Sequence, residues 1–314
     1  MSKFQRLFQL TFETRDGDKV VLTNPFTMQF NIVRHNLSSA SNANIKIYNL
    51  GLANRKRIFF NAITTPEKFL HVELRAGYEG MMPIIFSGDI LDAQSYRGEG
   101  SPNFITEINA YDGGFDLAHA DTNRGEAAGT LRVSAIRNLC KDLTHCKIGA
   151  IGNFPGSYAR QRVFAGATKQ LLEDETGGNF FIDNQRVYCL KDNEYVEGEV
   201  LVISSETGLL GSPTRCEMIV TAEMLFEPRL KIGQVVDLVS RDYPSLNQLY
   251  KVIGIQHSGT ISDAVGGKCK TTVRMLYGIQ NLTLVESESC QQQVARVGID
   301  VITTRAKELA HGTK

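Results

Sequence analysis

The sequence predicts a mainly β protein in four parts: a first β-domain at 1–113, a small α+β domain at 114–195, a second β-domain at 196–285, and a C-terminal amphipathic helix at 286–314. Three observations lead there. From about Phe69 to Gly113, three arms (Leu70 to Ala76, Pro83 to Tyr96 and Phe104 to Tyr111) are rich in β-branched and alternating apolar residues, with Gly-containing turns between them. That is the pattern of an antiparallel meander with one buried face. A similar stretch recurs at a constant offset of 166 residues, aligning Gly88 with Gly254, Gly100 with Gly266, Thr106 with Thr272 and Tyr111 with Tyr277. Between the two, the apolar period becomes helical. The ungapped alignment leaves Ile105 and Ile108 out of phase with Val273 and Met275. The likeness therefore reads either as a duplication or as the shared grammar of two hairpins.

Taken in order, Phe4 to Glu13 and Lys19 to Thr23 form a hairpin about Asp16-Gly17, a dipeptide that supplies the positive φ of a tight turn. Phe26, Met28, Phe30 and Ile32 alternate along a third strand, and Ala43 to Leu50 is a fourth. Gly51 to Asn61 carries Leu52, Arg55 and Phe59 at helical spacing, and the meander follows. Gly113 to Thr130 is small and polar and reads as a linker with at most one helical turn. Val133, Ile136, Leu139, Cys140 and Leu143 then mark a helix, and Ile148 to Ser157 a Gly/Pro loop. A second helix runs from about Thr168 to Thr176 and stops at Gly177-Gly178; Asn179 to Asp183 and Arg186 to Leu190 form a hairpin about Asn184-Gln185.

Val200 to Ile203 returns to strand, and Glu206 to Pro213 reads as a loop presenting Leu209 and Leu210 between glycines. Cys216, Met218, Val220, Ala222 and Met224 alternate along one long strand, followed by strands at Val235 to Val239, Tyr250 to His257 and Lys270 to Leu276. In the tail, Val294, Val297 and Val301 fall near a helical stripe beside charged residues, the pattern of a helix that docks on a partner.

At 314 residues and 42% hydrophobic content, the chain can bury more than one core. Thirty-four basic residues balance 34 acidic ones, so no global field draws it to nucleic acid or an anionic membrane. The expected partner is a protein or a small ligand. Six scattered cysteines lack zinc-type spacing, which points to reduced thiols and a cytosolic site of synthesis. The N-terminus has no apolar h-region, no stretch is long enough to span a bilayer, and the chain reads as soluble.

The chemistry-bearing residues do not assemble into a catalytic pattern. Asp89 and Asp92 are three residues apart on a strand, a spacing that sends them to opposite faces. His257, Ser258 and Asp263 are merely close in sequence, and a triad must converge from separate elements. There is no GxSxG elbow, P-loop, dinucleotide fingerprint or HExxH. His257 reads as a strand histidine at a packing or subunit surface. Arg132, Arg137, Lys141, Lys147, Arg160 and Arg162 are followed by acidic LLEDE, which makes a solvated face. No catalytic residue, cofactor or metal is assigned.

The ordered run ANIKIYNL-GLANRKRIFF, LHVELRAGYEG, IIFSGDI and AYDGG resembles the N-terminal domain of baseplate hub proteins from contractile-tailed bacteriophages. RVFAGATKQLLEDETGGNFFIDNQRVYCL, ETGLLGSP and LYKVIGIQHSG resemble that family's middle and second barrel domains, so the likeness covers roughly residues 25 to 280. It implies two tail-tube-like antiparallel β-barrels per chain and a homotrimer whose barrels form a pseudo-six-fold ring. The implied partners are the tail tube or a distal tube protein, a central spike protein, surrounding baseplate proteins and the tape-measure protein in the lumen. No membrane and no specific nucleic acid are implied, DNA only passing through the channel. The implied location is the virion tail, assembled in the host cytoplasm. On that resemblance the hairpin tips supply the interface residues Arg97, Glu99, Ser101, Asp263 and Lys268. From the residues alone, Leu209 and Leu210 between glycines either tuck inward or, if exposed, form an interface plug, and Val294, Val297 and Val301 lie on the docking helix, which is outside the resemblance. Two other readings stay open: the spike base of a bacterial contractile secretion system, and a tail-associated cell-wall hydrolase.

Overall fold

The computed structural model describes residues 5–14, 16–61, 70–98, 100, 102–264, 266–279 and 281–288. In chain order the first half comprises β1 (Arg6–Glu13), β2 (Lys19–Thr23), β3 (Met28–His35), β4 (Asn42–Tyr48), α1 (Leu52–Ile58), β5 (Phe60–Asn61), β6 (His71–Tyr78), β7 (Ile84–Arg97) and β8 (Phe104–Tyr111). The middle holds α2 (Gly114–His119), β9 (Asp121–Glu126), α3 (Arg132–Lys141), β10 (Lys147–Ile151), β11 (Arg162–Ala167), α4 (Thr168–Thr176), β12 (Phe180–Ile182), β13 (Arg186–Cys189) and β14 (Glu194–Val196). The last part holds β15 (Leu201–Ser204), β16 (Leu209–Cys216), β17 (Ile219–Leu225), β18 (Val235–Val239), β19 (Gln248–Ile261), β20 (Cys269–Leu276) and β21 (Thr283–Val285).

The chain is mainly β, as expected, but its two β-rich parts are not separate sheets. β3 pairs antiparallel with β19, from His35 opposite Gly254 to Met28 opposite Ile261, and one 14-stranded sheet results. Among the described residues no strand pairing closes either part into a barrel. The first core is built on inward residues of alternating strands, such as Phe8, Leu10 and Phe12 or Ile45 and Ile47, and it also takes in Phe226, Ile261 and Cys269 from the last part. A second core gathers Val220, Val236, Val252, Val273 and Met275, and a third packs α3 and α4 on β12 and β13.

The hairpins at Arg6–Thr23 and Phe180–Cys189 and the ends of α3 and α4 lie where the pattern put them. Gly177 caps α4 at φ +64°, and Asn184 and Gln185 both take positive φ, the geometry of a two-residue turn. Four readings need correction. The expected linker at 113–130 contains α2 and β9, the latter paired with β11. The Gly/Pro loop begins with β10, which pairs parallel with β13. The loop at 206–213 is largely β16, bulged between Leu210 and Thr214. The long strand through Cys216 and Met218 is two strands, because Glu217 at φ +52° turns the chain from β16 into β17. The helix expected at 286–314 falls, from 289 onward, outside the described residues.

Candidate interaction edges

The two long hairpins, β7–β8 and β19–β20, share one construction. Each has a 14-residue outgoing strand and an eight-residue return, and each outgoing strand bulges, between Ile90 and Asp92 in one and between Val252 and Gly254 in the other. Superposing the bulges puts Ala93 on Ile255, Ser95 on His257, Thr106 on Thr271, Ile108 on Val273 and Ala110 on Met275. The phase problem of the sequence alignment disappears, because the return strands match one residue earlier than the constant offset placed them. Gly88 and Gly254 are therefore not equivalent. The equivalence extends to side chains: Ser95 and Thr106 share a hydroxyl–hydroxyl hydrogen bond at 2.8 Å, and His257 Nδ1 meets Thr271 Oγ1 at 2.9 Å in the same cross-strand position.

The neighbours repeat as well. β3-β4-β8-β7-β6 and β16-β17-β20-β19-β18 have the same order, every adjacent pair antiparallel. Each unit thus has an outer strand, β3 or β16, and a long strand, β7 or β19, whose far half extends past its partner on that side. Within the chain β3 fills the far half of β19. Among the described residues β16 ends the sheet with one edge unpaired, and β7 beyond Ala93 pairs with no strand but β8, with α1 packed against β7.

At these edges lie several of the expected interface residues. Arg97 ends β7 with its guanidinium 4.7 Å from the centre of the Phe104 ring, where Arg55 also stacks at 3.7 Å. Leu209 is half-buried against the second core, and Leu210 is 42% exposed on β16. The second tip folds back on its own chain: Asn24 Nδ2 donates to Asp263 at 2.6 Å, Thr27 and Ser262 share a hydrogen bond at 2.7 Å, and Arg6 Nη1 donates to the Gly267 carbonyl at 2.7 Å. Lys268 is exposed beside it. Glu99, Ser101, Val294, Val297 and Val301 lie outside the described residues.

His257, Asp89 and Asp92 are each engaged within the fold. His257 is fully buried, edge-on to Phe226, and burial followed by the Arg34 charge lowers its pKa to about 3. Its ring bonds Thr271 rather than Asp263, so His257, Ser258 and Asp263 form no triad. The bulge in β7 overturns one expectation: Asp89 faces Tyr111 and Asp92 faces Asn109, which puts both carboxylates on one side of the strand. Each is occupied, Asp89 accepting from Phe115 N and Gln185 Nε2 at 3.3 Å, Asp92 from Asn109 Nδ2 at 3.2 Å. Burial raises the pKa of Asp89 despite the Phe115 N–H.

Two buried groups that the sequence pattern does not reveal tie the parts together. Arg34, 1% exposed on β3, donates from Nε and Nη2 to both Asp183 oxygens at 2.7 Å and from Nη1 to the Ile85 carbonyl at 3.3 Å. Burial opposes its charge, but Asp183 outweighs that and the pKa is raised. Asp112, at the end of the first meander, accepts the backbone N–H groups of Asn184 and Gln185. Burial and then the Asp183 charge push its pKa well up, partly offset by those N–H donors. No group of three or more His, Cys, Asp or Glu suited to a metal occurs among the described residues.

Comparison with known proteins places this architecture. The 43 kDa tail protein of prophage MuSo2 from Shewanella oneidensis superposes with a TM-score of 0.55 at 9% identity, covering 85% of this chain and 96% of that one. A tail protein from Neisseria meningitidis MC58 gives 0.52 at 10%, covering 86% and 96%. The E. coli c3393 protein, described as a type VI secretion component with structural similarity to the T4 tail proteins gp27 and gp5, gives 0.55 at 9%, covering 87% and 80%. At such identities these likenesses establish the fold. No curated protein matches the chain by sequence. The family described as baseplate hub gp41 matches residues 7–262, and the chain belongs to that family.

Proposed function

We propose that the chain is one subunit of a trimeric baseplate hub, a structural ring that joins the tail tube to the central spike. The observation that carries this reading is the five-strand unit repeated within one chain. A three-fold spike and a six-fold tube have mismatched symmetry, and two similar units per chain in a trimer present six. In this reading 1–113 and 196–285 are the two tube-like barrels, closed only in the ring, and 114–195 lies between them. The segment 286–314 docks on the spike or on a lumen protein such as the tape measure, and other baseplate proteins pack outside. The hub belongs to the virion tail and is assembled in the host cytoplasm.

Light scattering on the purified protein at several concentrations tests the reading, alone and after mixing with the spike and tube proteins. The expected mass is three times 34.8 kDa. A protein that stays monomeric in both conditions and captures neither partner would overturn it.

A further inference from the structure

The intrachain junction between β3 and β19 has an unfilled counterpart. We infer that β16 of one chain pairs antiparallel with the far half of β7 of a second copy, in the register that β3 uses on β19. The inference deepens the ring reading and rests on it.

The register follows from the pairings. β4 and β17 correspond through Ala43 with Val220, Ile45 with Ala222 and Ile47 with Met224, all buried. Carried one strand outward, Asn31, Ile32 and Val33 of β3 correspond to Thr214, Arg215 and Cys216 of β16. On the long strands, Gln256, His257 and Ser258 correspond to Gln94, Ser95 and Tyr96. Val33 faces Gln256, Ile32 faces His257 and Asn31 faces Ser258 within the chain. Between chains, Cys216 therefore faces Gln94, Arg215 faces Ser95 and Thr214 faces Tyr96.

Both sides suit the contact. Thr214, Arg215, Cys216, Gln94 and Tyr96 are exposed. Gln94 to Arg97 lie beyond the point where β5 pairs with the strand, and an edge without a strand partner among the described residues is a template for another chain. The bulge holding Pro213 limits regular pairing to the segment after it. By the same correspondence Arg97, at the end of β7, is carried towards the beginning of the neighbour's β16, where Leu210 is exposed, as Gly259 lies opposite Phe30 of β3. The contact is head to tail, so it propagates from copy to copy until it closes.

Native Cys216 makes the test direct. Gln94→Cys is expected to form an intermolecular disulfide with Cys216 under diamide, giving species at two and three times 34.8 kDa on a non-reducing gel. Gln94→Cys with Cys216→Ser should lose them, as should Ser95→Cys in place of Gln94→Cys, which sits one residue out of register. Circular dichroism melts check that each variant is folded; because Gln94 and Cys216 are both exposed, neither change disturbs a core. If light scattering shows an oligomer and Gln94→Cys cross-links no more than the Cys216→Ser control, this interface is wrong and the ring reading stands. If the folded variant is monomeric with its partners present and does not cross-link, both fall.

Discussion

At the scale of single residues, the informative positions are polar residues standing in the inward phase of a strand. Met28, Phe30 and Ile32 alternate into the first core, and Arg34 is the next inward residue. An arginine there requires a buried carboxylate, and the sequence could flag that need without identifying Asp183, 149 positions away. His257 follows Ile255 in the same way and is held neutral in the core. Its folded pKa is below its unfolded value, so its contribution to stability is full above the unfolded pKa and is lost as pH falls towards about 3. His257→Asn keeps a hydrogen-bonding partner for Thr271 and does not titrate. Urea titrations of both proteins between pH 7 and pH 4 should show the wild type losing more stability than the variant, by up to on the order of 3 kcal/mol. Equal losses would show that His257 is not buried neutral.

At the scale of elements, legibility tracked whether the local pattern had a single cause. The Asp-Gly hairpin and the glycine stop of α4 were legible because glycine takes positive φ without steric cost and so marks where the chain must turn. β9 was not legible, since DTNRGE has no apolar alternation and is defined by its ladder with β11. The turn between β16 and β17 is hidden because the alternation of Cys216, Met218 and Val220 runs on through it in sequence, although the two-residue turn reverses the parity: Cys216 lies opposite Ile219 and Arg215 opposite buried Val220, so Cys216 and Val220 are on different faces. The candidate edge on β16 has the sequence of a loop because Gly211, Ser212 and Pro213 form its bulge. The Asn184-Gln185 turn depends on a distant residue, Asp112, which satisfies both of its N–H groups. Asp112→Ala leaves two backbone donors of the half-buried turn without their acceptor and should cost about 1–3 kcal/mol. Hydrogen exchange should then show faster amide exchange at Asn184 and Gln185 than across β4 and β8. Unchanged protection at the turn would mean that Asp112 does not hold it.

At the scale of the whole molecule, the sequence suggested separable domains, and the structure couples them in three ways. β3 and β19 share a ladder, Arg34 joins the first β-part to Asp183 of the middle, and the first core includes Phe226, Ile261 and Cys269. The local pattern identifies the partner in none of these contacts, because each is made between residues far apart in sequence. A fragment of residues 1–113 would lose the three core residues, expose the full edge of β3 and leave Arg34 with no carboxylate. Burying that unpaired guanidinium alone costs about 3–5 kcal/mol, a large share of the stability of a domain this size. The fragment is therefore expected to be unfolded or aggregated, while the longer chain melts in a single calorimetric transition. Co-expressing 1–113 with 114–314 should restore a soluble complex, since the β3–β19 ladder and the Arg34–Asp183 pair can form between two chains as they do within one. A fragment that folds alone with a sharp melt and well-dispersed amide spectra would show that the first β-part carries its own stability. The coupling through β19 would then be a docking contact between finished domains, no longer part of the fold.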